Sequence, residues 1–167
     1  MRLHRFYIEE KLAGKSEVKI FDEALLHQLK DVFRLQKGDS VIFFDGEGSD
    51  VTYRIEMISK KEGAFAKESE SKSIMPESKI ALYMALIKKD NFELVLQKCT
   101  ELGVSKFVPI MAERSEKKNI DMDRAKRIIK EASEQCGRGD LPELSEIKSL
   151  EEILNENDHD ELYLLYM

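Results

Sequence analysis

Ile80-Ala81-Leu82-Tyr83-Met84-Ala85-Leu86-Ile87 is an unbroken apolar run with no polar residue in alternation. Such a run reads as a strand covered on both faces, the pattern of a parallel sheet rather than of a half-solvated antiparallel one. The next residues support that reading. Over 91–102, Phe92, Val95, Leu96, Cys99 and Leu102 repeat at helical spacing and Gly103 supplies a stop. Lys106-Phe107-Val108-Pro109-Ile110 reads as the next strand, and a second helix starts near Met122 behind the cap Asp121. Its apolar stripe is Ala125, Ile128, Ile129, Ala132 and Cys136, closed by Gly137 and Gly139. A short helix near 150–154 and a last strand over 162–166 complete a β-α-β-α-(α)-β order, which predicts an α/β domain with a parallel sheet.

Working back from the run, residues 69–78 (Ser-Glu-Ser-Lys-Ser-Ile-Met-Pro-Glu-Ser) carry serine, charge and a proline without any period. They mark the boundary between two domains, 1–70 and 79–167, with 71–78 as linker. The first domain reads as short strands: Arg5-Phe6-Tyr7-Ile8, Val18-Lys19-Ile20, Val41-Ile42-Phe43-Phe44, Val51-Thr52-Tyr53-Arg54-Ile55 and Ala64-Phe65-Ala66. Glycine-bearing turns separate them, as in a small β-barrel. One helix, over 22–33, interrupts the strands with Asp22 as cap and Leu25, Leu26, Leu29, Val32 and Phe33 as its core stripe.

Composition narrows the function classes. The 167 residues are 36% charged and include no apolar run long enough to span a bilayer, and the N-terminus lacks the apolar core of a secretory signal. A cytoplasmic protein is expected. Cys99 and Cys136 stand alone, without a second metal ligand nearby, which argues against a disulfide framework and against a metal site. The net charge of −6 is unevenly spread: residues 1–73 carry −1, residues 74–138 carry +3 and residues 139–167 carry −8. The chain ahead of the acidic end can therefore present a basic face to phosphate.

Common catalytic signatures are absent, including GxGxxG, Walker A, GxSxG and HExxH. Ile87-Lys88-Lys89-Asp90-Asn91 has no glycine where a Rossmann-like turn needs one. Three constellations remain. Lys88 and Lys89 follow the first buried strand, where an anionic ligand enters an α/β sheet, although they equally suit a solvated helix start; Lys98 and Glu101 can pair with each other. Arg114, in Glu113-Arg114-Ser115, sits after the second strand and can grip a phosphate in two places or simply face solvent. Glu131, Gln135 and Arg138, at i, i+4 and i+7, make a polar stripe beside the apolar one, able to meet a base edge or to face water. In the barrel, Arg2, Arg5, Arg34 and Lys37 lie among Phe6, Tyr7 and Phe33, a combination suited to RNA, with the aromatics assigned to the core. His4, His27 and His159 are scattered and read as structural or surface residues.

Taken in order, these motifs resemble the ribosomal RNA small-subunit methyltransferase E family of the SPOUT superfamily. The resemblance runs through Arg5-Phe6-Tyr7, His27 with Val32-Phe33-Arg34-Leu35-Gln36-Lys37-Gly38-Asp39, Asp45-Gly46-Glu47-Gly48, Lys88-Lys89, Lys98-Cys99-Thr100-Glu101-Leu102-Gly103-Val104, Pro109, Glu113-Arg114-Ser115, Glu131-Ala132-Ser133-Glu134-Gln135-Cys136-Gly137-Arg138 and Pro142. It implies a PUA-like RNA-binding β-barrel followed by a SPOUT-type α/β domain that binds S-adenosyl-L-methionine in a trefoil knot, works as a homodimer and methylates N3 of a uridine in 16S rRNA of the small ribosomal subunit. Arg114, Gln135 and Arg138 would hold the RNA or target nucleotide, with Glu131 orienting an arginine and no general base assigned. Arg2, Arg5, Arg34, Lys37, Lys88 and Lys89 would contact RNA, and Leu165 and Tyr166 the cofactor. The family's glycine-rich cofactor loops would lie beyond Met167, so 79–167 is expected to be an incomplete domain with cofactor binding undetectable or very weak. The competing expectation is an RNA-binding module without catalytic activity.

Overall fold

The structure, a computed structural model, describes residues 3–112, 115 and 119–155. Two separate sheets organise it. The first contains β1 (Arg5–Tyr7), β2 (Glu17–Ile20), β3 (Ser40–Phe44), β4 (Ser49–Ile58) and β5 (Gly63–Lys72) in the order β1-β3-β4-β5-β2. Only the β1–β3 pair is parallel. Since β1 and β2 end the order, the barrel is an open one.

Alternation explains its core. Val41 and Phe43 of β3, Val51, Tyr53 and Ile55 of β4 and Val18 and Ile20 of β2 are buried every second residue, against Phe6 and Phe65. Phe43 meets Phe65 edge-on at 5.0 Å, an arrangement that aligns ring edge with ring face. The open side is covered by α1 (Glu23–His27), whose N-cap Asp22 accepts from the amides of Ala24 and Leu25. Beyond His27 the helix widens into a π-helical turn over Gln28–Val32. Leu25, Leu26 and Leu29 fill the core as expected, but Val32 is 60% exposed, because the wider turn advances the chain past the position that a 3.6-residue period assigns it. Phe33 packs on the core from its edge.

The segment read as a linker is partly strand. β5 runs on through Lys72, its last residues pairing with Ser49–Thr52 of β4 despite a serine-rich, charged sequence. Four residues paired along β4 supply the ladder that side-chain hydrophobicity does not. Beyond it, Ile74 bridges to Arg138 of the other half.

The second sheet holds β6 (Ala81–Ala85), β7 (Lys106–Met111), β8 (Glu143–Leu144) and β9 (Lys148–Ser149), all parallel, with β8 and β9 both paired to β7 on the side away from β6. Around it pack α2 (Lys89–Glu101) and α3 (Met122–Cys136), sharing a core of Leu86, Phe92, Leu96, Phe107, Ala125 and Ile129. The short α4 (Leu150–Leu154) starts with a reciprocal capping box between Ser149 and Glu152. Two expectations are corrected here. None of the β6 residues is buried: Ala81 is exposed and Leu82–Ala85 are half-buried, so within the run only Leu86, just past the strand, is fully covered, and β6 lies at the edge of the described sheet. Leu102 is 81% exposed, because α2 ends at Glu101 and its inner face runs through Phe92, Leu96 and Thr100, whose hydroxyl donates back to the Leu96 carbonyl at 2.7 Å. The strand expected over 162–166 lies outside the described residues.

Candidate functional site

The two halves meet where the last turn of α3 lies against β1. Arg5 spans the joint. Its Nε and Nη2 donate to the Asp50 carboxylate at 2.7–3.0 Å, Nη1 reaches the Ser133 carbonyl at 3.1 Å and Nη2 the Arg138 carbonyl at 2.8 Å. The guanidinium also lies over Phe44, 3.4 Å from the ring centre, and only 8% of the side chain is exposed. A cation on the carbonyls that end a helix is favoured by the helix dipole, and the planar fork suits several acceptors at once. Asp50 is held in turn by the Ser73 hydroxyl at 2.5 Å. Two residues along β1, the Tyr7 amide donates to Glu134 at 3.0 Å, so the edge of the strand is capped by a side chain of α3. Burial pushes the Glu134 carboxyl above the usual carboxylate range, against the opposing pull of that amide and of Lys130.

Arg138 belongs to the same joint. Gly137, at φ 83, closes α3 in the left-handed conformation and turns the chain inward. Arg138 Nη1 therefore donates to the carbonyls of Thr100 and Val104, both at 2.8 Å, and its other nitrogens clasp Asp140 at 2.8–2.9 Å. Its side chain is 5% exposed. The stripe that joined it to Glu131 and Gln135 assumed a helix continuing through 138; the cap ends that geometry. Arg5 and Arg138 thus act as structural pins here, each guanidinium held by protein acceptors.

Above the joint lies a groove of about 920 Å³, walled by His4, Phe33 and Gln28 of the barrel half and by Glu131, Glu134 and Gln135 of α3. Glu131 and Gln135 are exposed in it, as is His4, whose ring lies 4.1 Å from that of Phe33. Arg34 follows Phe33 directly and is the one described non-glycine residue at positive φ, 56°. It turns out to the surface beside Lys30 and Lys37, and neither Arg34 nor Lys37 has an ion-pair partner among the described residues. This basic turn and the groove lie on either side of Phe33.

A smaller pocket opens at the carboxyl end of β6, lined by Ile87, Lys89, Phe92, Asn119 and Asp121. Its charges are engaged: Glu93 is clasped by Arg124 at 2.6 and 2.7 Å, which lowers its carboxyl below the usual range, and Lys89 stands 3.7 Å from the same group. Asp121 caps α3 through the Arg124 amide. Lys88 is exposed beside the pocket. Lys98 pairs with Glu101 along α2 at 2.9 Å. Cys99 is packed against the core, where burial raises its thiol pKa, and both cysteines are free. Among the described residues no group of histidine, cysteine and carboxylate side chains is arranged to hold a metal. Arg2, Arg114, Leu165 and Tyr166 lie outside the described residues.

Sequence reasoning missed Asp50, Glu134 and the His4–Phe33 pair. Asp50 and Glu134 are ordinary acidic residues in sequence, and only the meeting of β4, β1 and α3 gives them their partners. His4 stands two residues before the buried Phe6, so strand alternation puts both on one face and gives no signal that sets His4 apart as an exposed ring.

Comparison with known proteins places these features in context. Residues 75–167 match the family model described as an RNA methyltransferase domain, and residues 17–67 the model of an RNA methyltransferase PUA domain. The ribosomal RNA small subunit methyltransferase E of Rickettsia conorii is 26% identical over 163 residues, covering 98% of this chain and 67% of the relative. A crystal structure of that enzyme from Neisseria gonorrhoeae, bound to S-adenosyl methionine, superposes with a TM-score of 0.83 at 27% identity, over 93% of this chain and 65% of the other. A methyltransferase from Legionella pneumophila, also holding that cofactor, gives 0.86 at 27% identity, over 96% and 69%. The chain thus spans about two thirds of the length of these relatives.

Proposed function

Because the chain belongs to the RNA methyltransferase family whose model its second half matches, we propose that it acts in S-adenosyl-L-methionine-dependent methylation of N3 of a uridine in 16S rRNA. In this reading it is a cytoplasmic, SPOUT-type protein that works on the small ribosomal subunit as a homodimer. The observation that carries the reading is the pairing of two matches in one chain, a PUA domain and a methyltransferase domain, joined by a built interdomain contact.

S-adenosyl-L-methionine would supply an electrophilic sulfonium methyl group; uridine N3, its proton lost to water, would take that methyl as the S–CH3 bond breaks and a neutral thioether leaves. The described residues do not by themselves fit the cofactor. The pocket at the end of β6 spends its charges on Glu93, Arg124 and Lys89, and Leu165 and Tyr166 lie outside the described residues. What this chain's described residues do is hold RNA. N3 is engaged in a base pair until the uridine is unpaired, so contacts beyond the target must keep the strand open. Arg34 and Lys37, exposed and without ion-pair partners among the described residues, suit phosphates, and Lys88 extends the basic surface on the other half. Gln135, exposed in the groove, is placed for a nucleotide.

The test incubates the chain with S-adenosyl methionine and small subunits whose 16S rRNA lacks the modification, then measures N3-methyluridine by mass spectrometry of nucleosides. Appearance of the product supports the enzyme. RNA binding without product supports a binding module, and neither result with intact folded protein overturns the reading.

A further inference from the structure

The groove above the interdomain joint has one aromatic wall and one acidic wall. On the barrel side, the exposed His4 ring leans on Phe33 at 4.1 Å and 44°, and Phe33 meets the buried Phe6 edge-on at 5.4 Å and 71°. The shelf is therefore anchored in the barrel core. On the α3 side stand Glu131, exposed, and Glu134, one oxygen of which is occupied by the Tyr7 amide. The Arg5 contacts to Ser133 and Arg138 fix the two walls relative to each other. Lys72 also lines the groove, so its charge is mixed; beside the aromatic shelf, the carboxylates suit a flat, neutral ring bearing hydrogen-bond donors.

We propose that this groove takes a single unpaired nucleobase of the bound RNA, stacked on His4, and that it prefers guanine. The proposal rests on the reading of the chain as an RNA-binding protein. Stacking on an aromatic side chain is available to every base. The acidic wall supplies the choice, since an ionised carboxylate only accepts. Guanine presents two adjacent donors on its Watson–Crick edge, N1–H and N2–H, which one carboxylate receives together. Uracil has a single such donor, and in adenine and cytosine the amino group stands beside a ring nitrogen whose lone pair faces the carboxylate. The phosphates have a separate place. Phe33 lines the groove, whereas Arg34, one residue on, lines the surface shared with Lys30 and Lys37. A strand can run over that basic turn while one of its bases enters past Phe33, the usual division between backbone contacts that position and base contacts that specify.

Fluorescence anisotropy with labelled short oligouridine, carrying guanosine, adenosine, cytidine or uridine at its centre, tests this. The guanosine oligomer is expected to bind several-fold more tightly than the others. His4→Ala should weaken it about tenfold or more, the scale of a missing stacking platform, and His4→Phe should retain it. Glu131→Gln should flatten the ratio between bases; the ratio is the readout because removing a negative charge raises affinity for any phosphate chain. Equal binding of all four oligomers, or an unchanged affinity in His4→Ala, overturns the proposal. If Arg34→Ala and Lys37→Ala weaken binding in that case, RNA binding stands and only the groove falls. If no oligomer and no rRNA fragment binds, both fall together.

Discussion

Arg5 is a residue whose chemistry the sequence displays while its protein partners appear only in the fold. An arginine among aromatics at the start of a barrel suits RNA, yet its three nitrogens are taken by Asp50 and two carbonyls of the α3 end, on a bed of Phe44. The sequence could not show that Asp50 lies opposite it, 45 positions away. Arg5→Ala leaves Asp50 part-buried with only the Ser73 hydroxyl, and breaking such a pair costs about 3–5 kcal/mol. Arg5→Lys should recover little of this, because an ammonium cannot serve three acceptors in one plane. Urea unfolding of both variants measures the loss; a cost under about 1 kcal/mol for alanine, the range of exposed pairs, would contradict the buried strut. Glu134 gives a pH signature at the same joint. Its pKa is raised by burial, so across the window from the ordinary carboxylate range up to its own value the folded chain holds a proton that the unfolded chain has released. Stability therefore falls as pH rises through that window and stays lower above it. The charged groups facing it are Lys130, Arg5 and Glu131. Glu134→Gln keeps the acceptor for the Tyr7 amide without the charge, so its melting temperature relative to the parent should improve as pH rises above the ordinary carboxylate range; a flat difference would place the carboxylate in solvent.

Elements were legible where local signals agree with the tertiary outcome. Asp121 caps α3 and Gly137 ends it, both by mechanisms that a sequence displays. The run at 80–87 was legible as a strand but not as an edge strand, because neighbours in a sheet leave no trace in the strand's own sequence. The short β8 and β9 carry no β-rich run at all; they exist because β7 offers its free edge to them. In the barrel, the π-helical turn broke the period that would have buried Val32. Gly139 tests the packing between elements. A Cβ built there stands 2.3 Å from the Cβ of Ser73, and its amide donates to Ile74 at 2.6 Å. Gly139→Ala should thus push the segment after β5 away from α3, seen as faster amide exchange at Gly139 and faster proteolysis around 73–78. Gly137→Ala, in open space but at positive φ, should cost about 1 kcal/mol without exposing that segment.

At the scale of the whole molecule, charge and cooperativity both follow from the joint. The cations left for RNA are those that the joint does not consume. Neutralising Arg34 or Lys37 should lower the slope of log K against log salt by about 0.7 for each phosphate no longer neutralised on a single strand, while Arg5→Ala should leave the slope unchanged. Equal slopes in all three variants would mean that the basic turn is idle.

The joint also decides whether the two sheets unfold as one. They share no strand, and their apolar cores are separate clusters, one around Phe43 and Tyr53 and one around Leu96 and Phe107. Among the described residues, polar contacts couple them: Arg5 to the carbonyls of Ser133 and Arg138; Glu134 to the Tyr7 amide; Ile74 to Arg138 and Gly139. Arg138 carries that coupling deeper, since its guanidinium holds the Thr100 and Val104 carbonyls at the end of α2. A polar hinge of this kind is specific in geometry and modest in net free energy, so removing its central cation should separate the halves before it unfolds either. Scanning calorimetry of the parent chain is expected to give one transition whose calorimetric and van't Hoff enthalpies agree, the mark of a single cooperative unit. In Arg5→Ala the transition should split, with the half containing the smaller cluster around Leu96 melting first. A single, merely shifted transition in the variant would mean that the remaining contacts suffice to bind the sheets together, and that Arg5 stabilises the barrel alone.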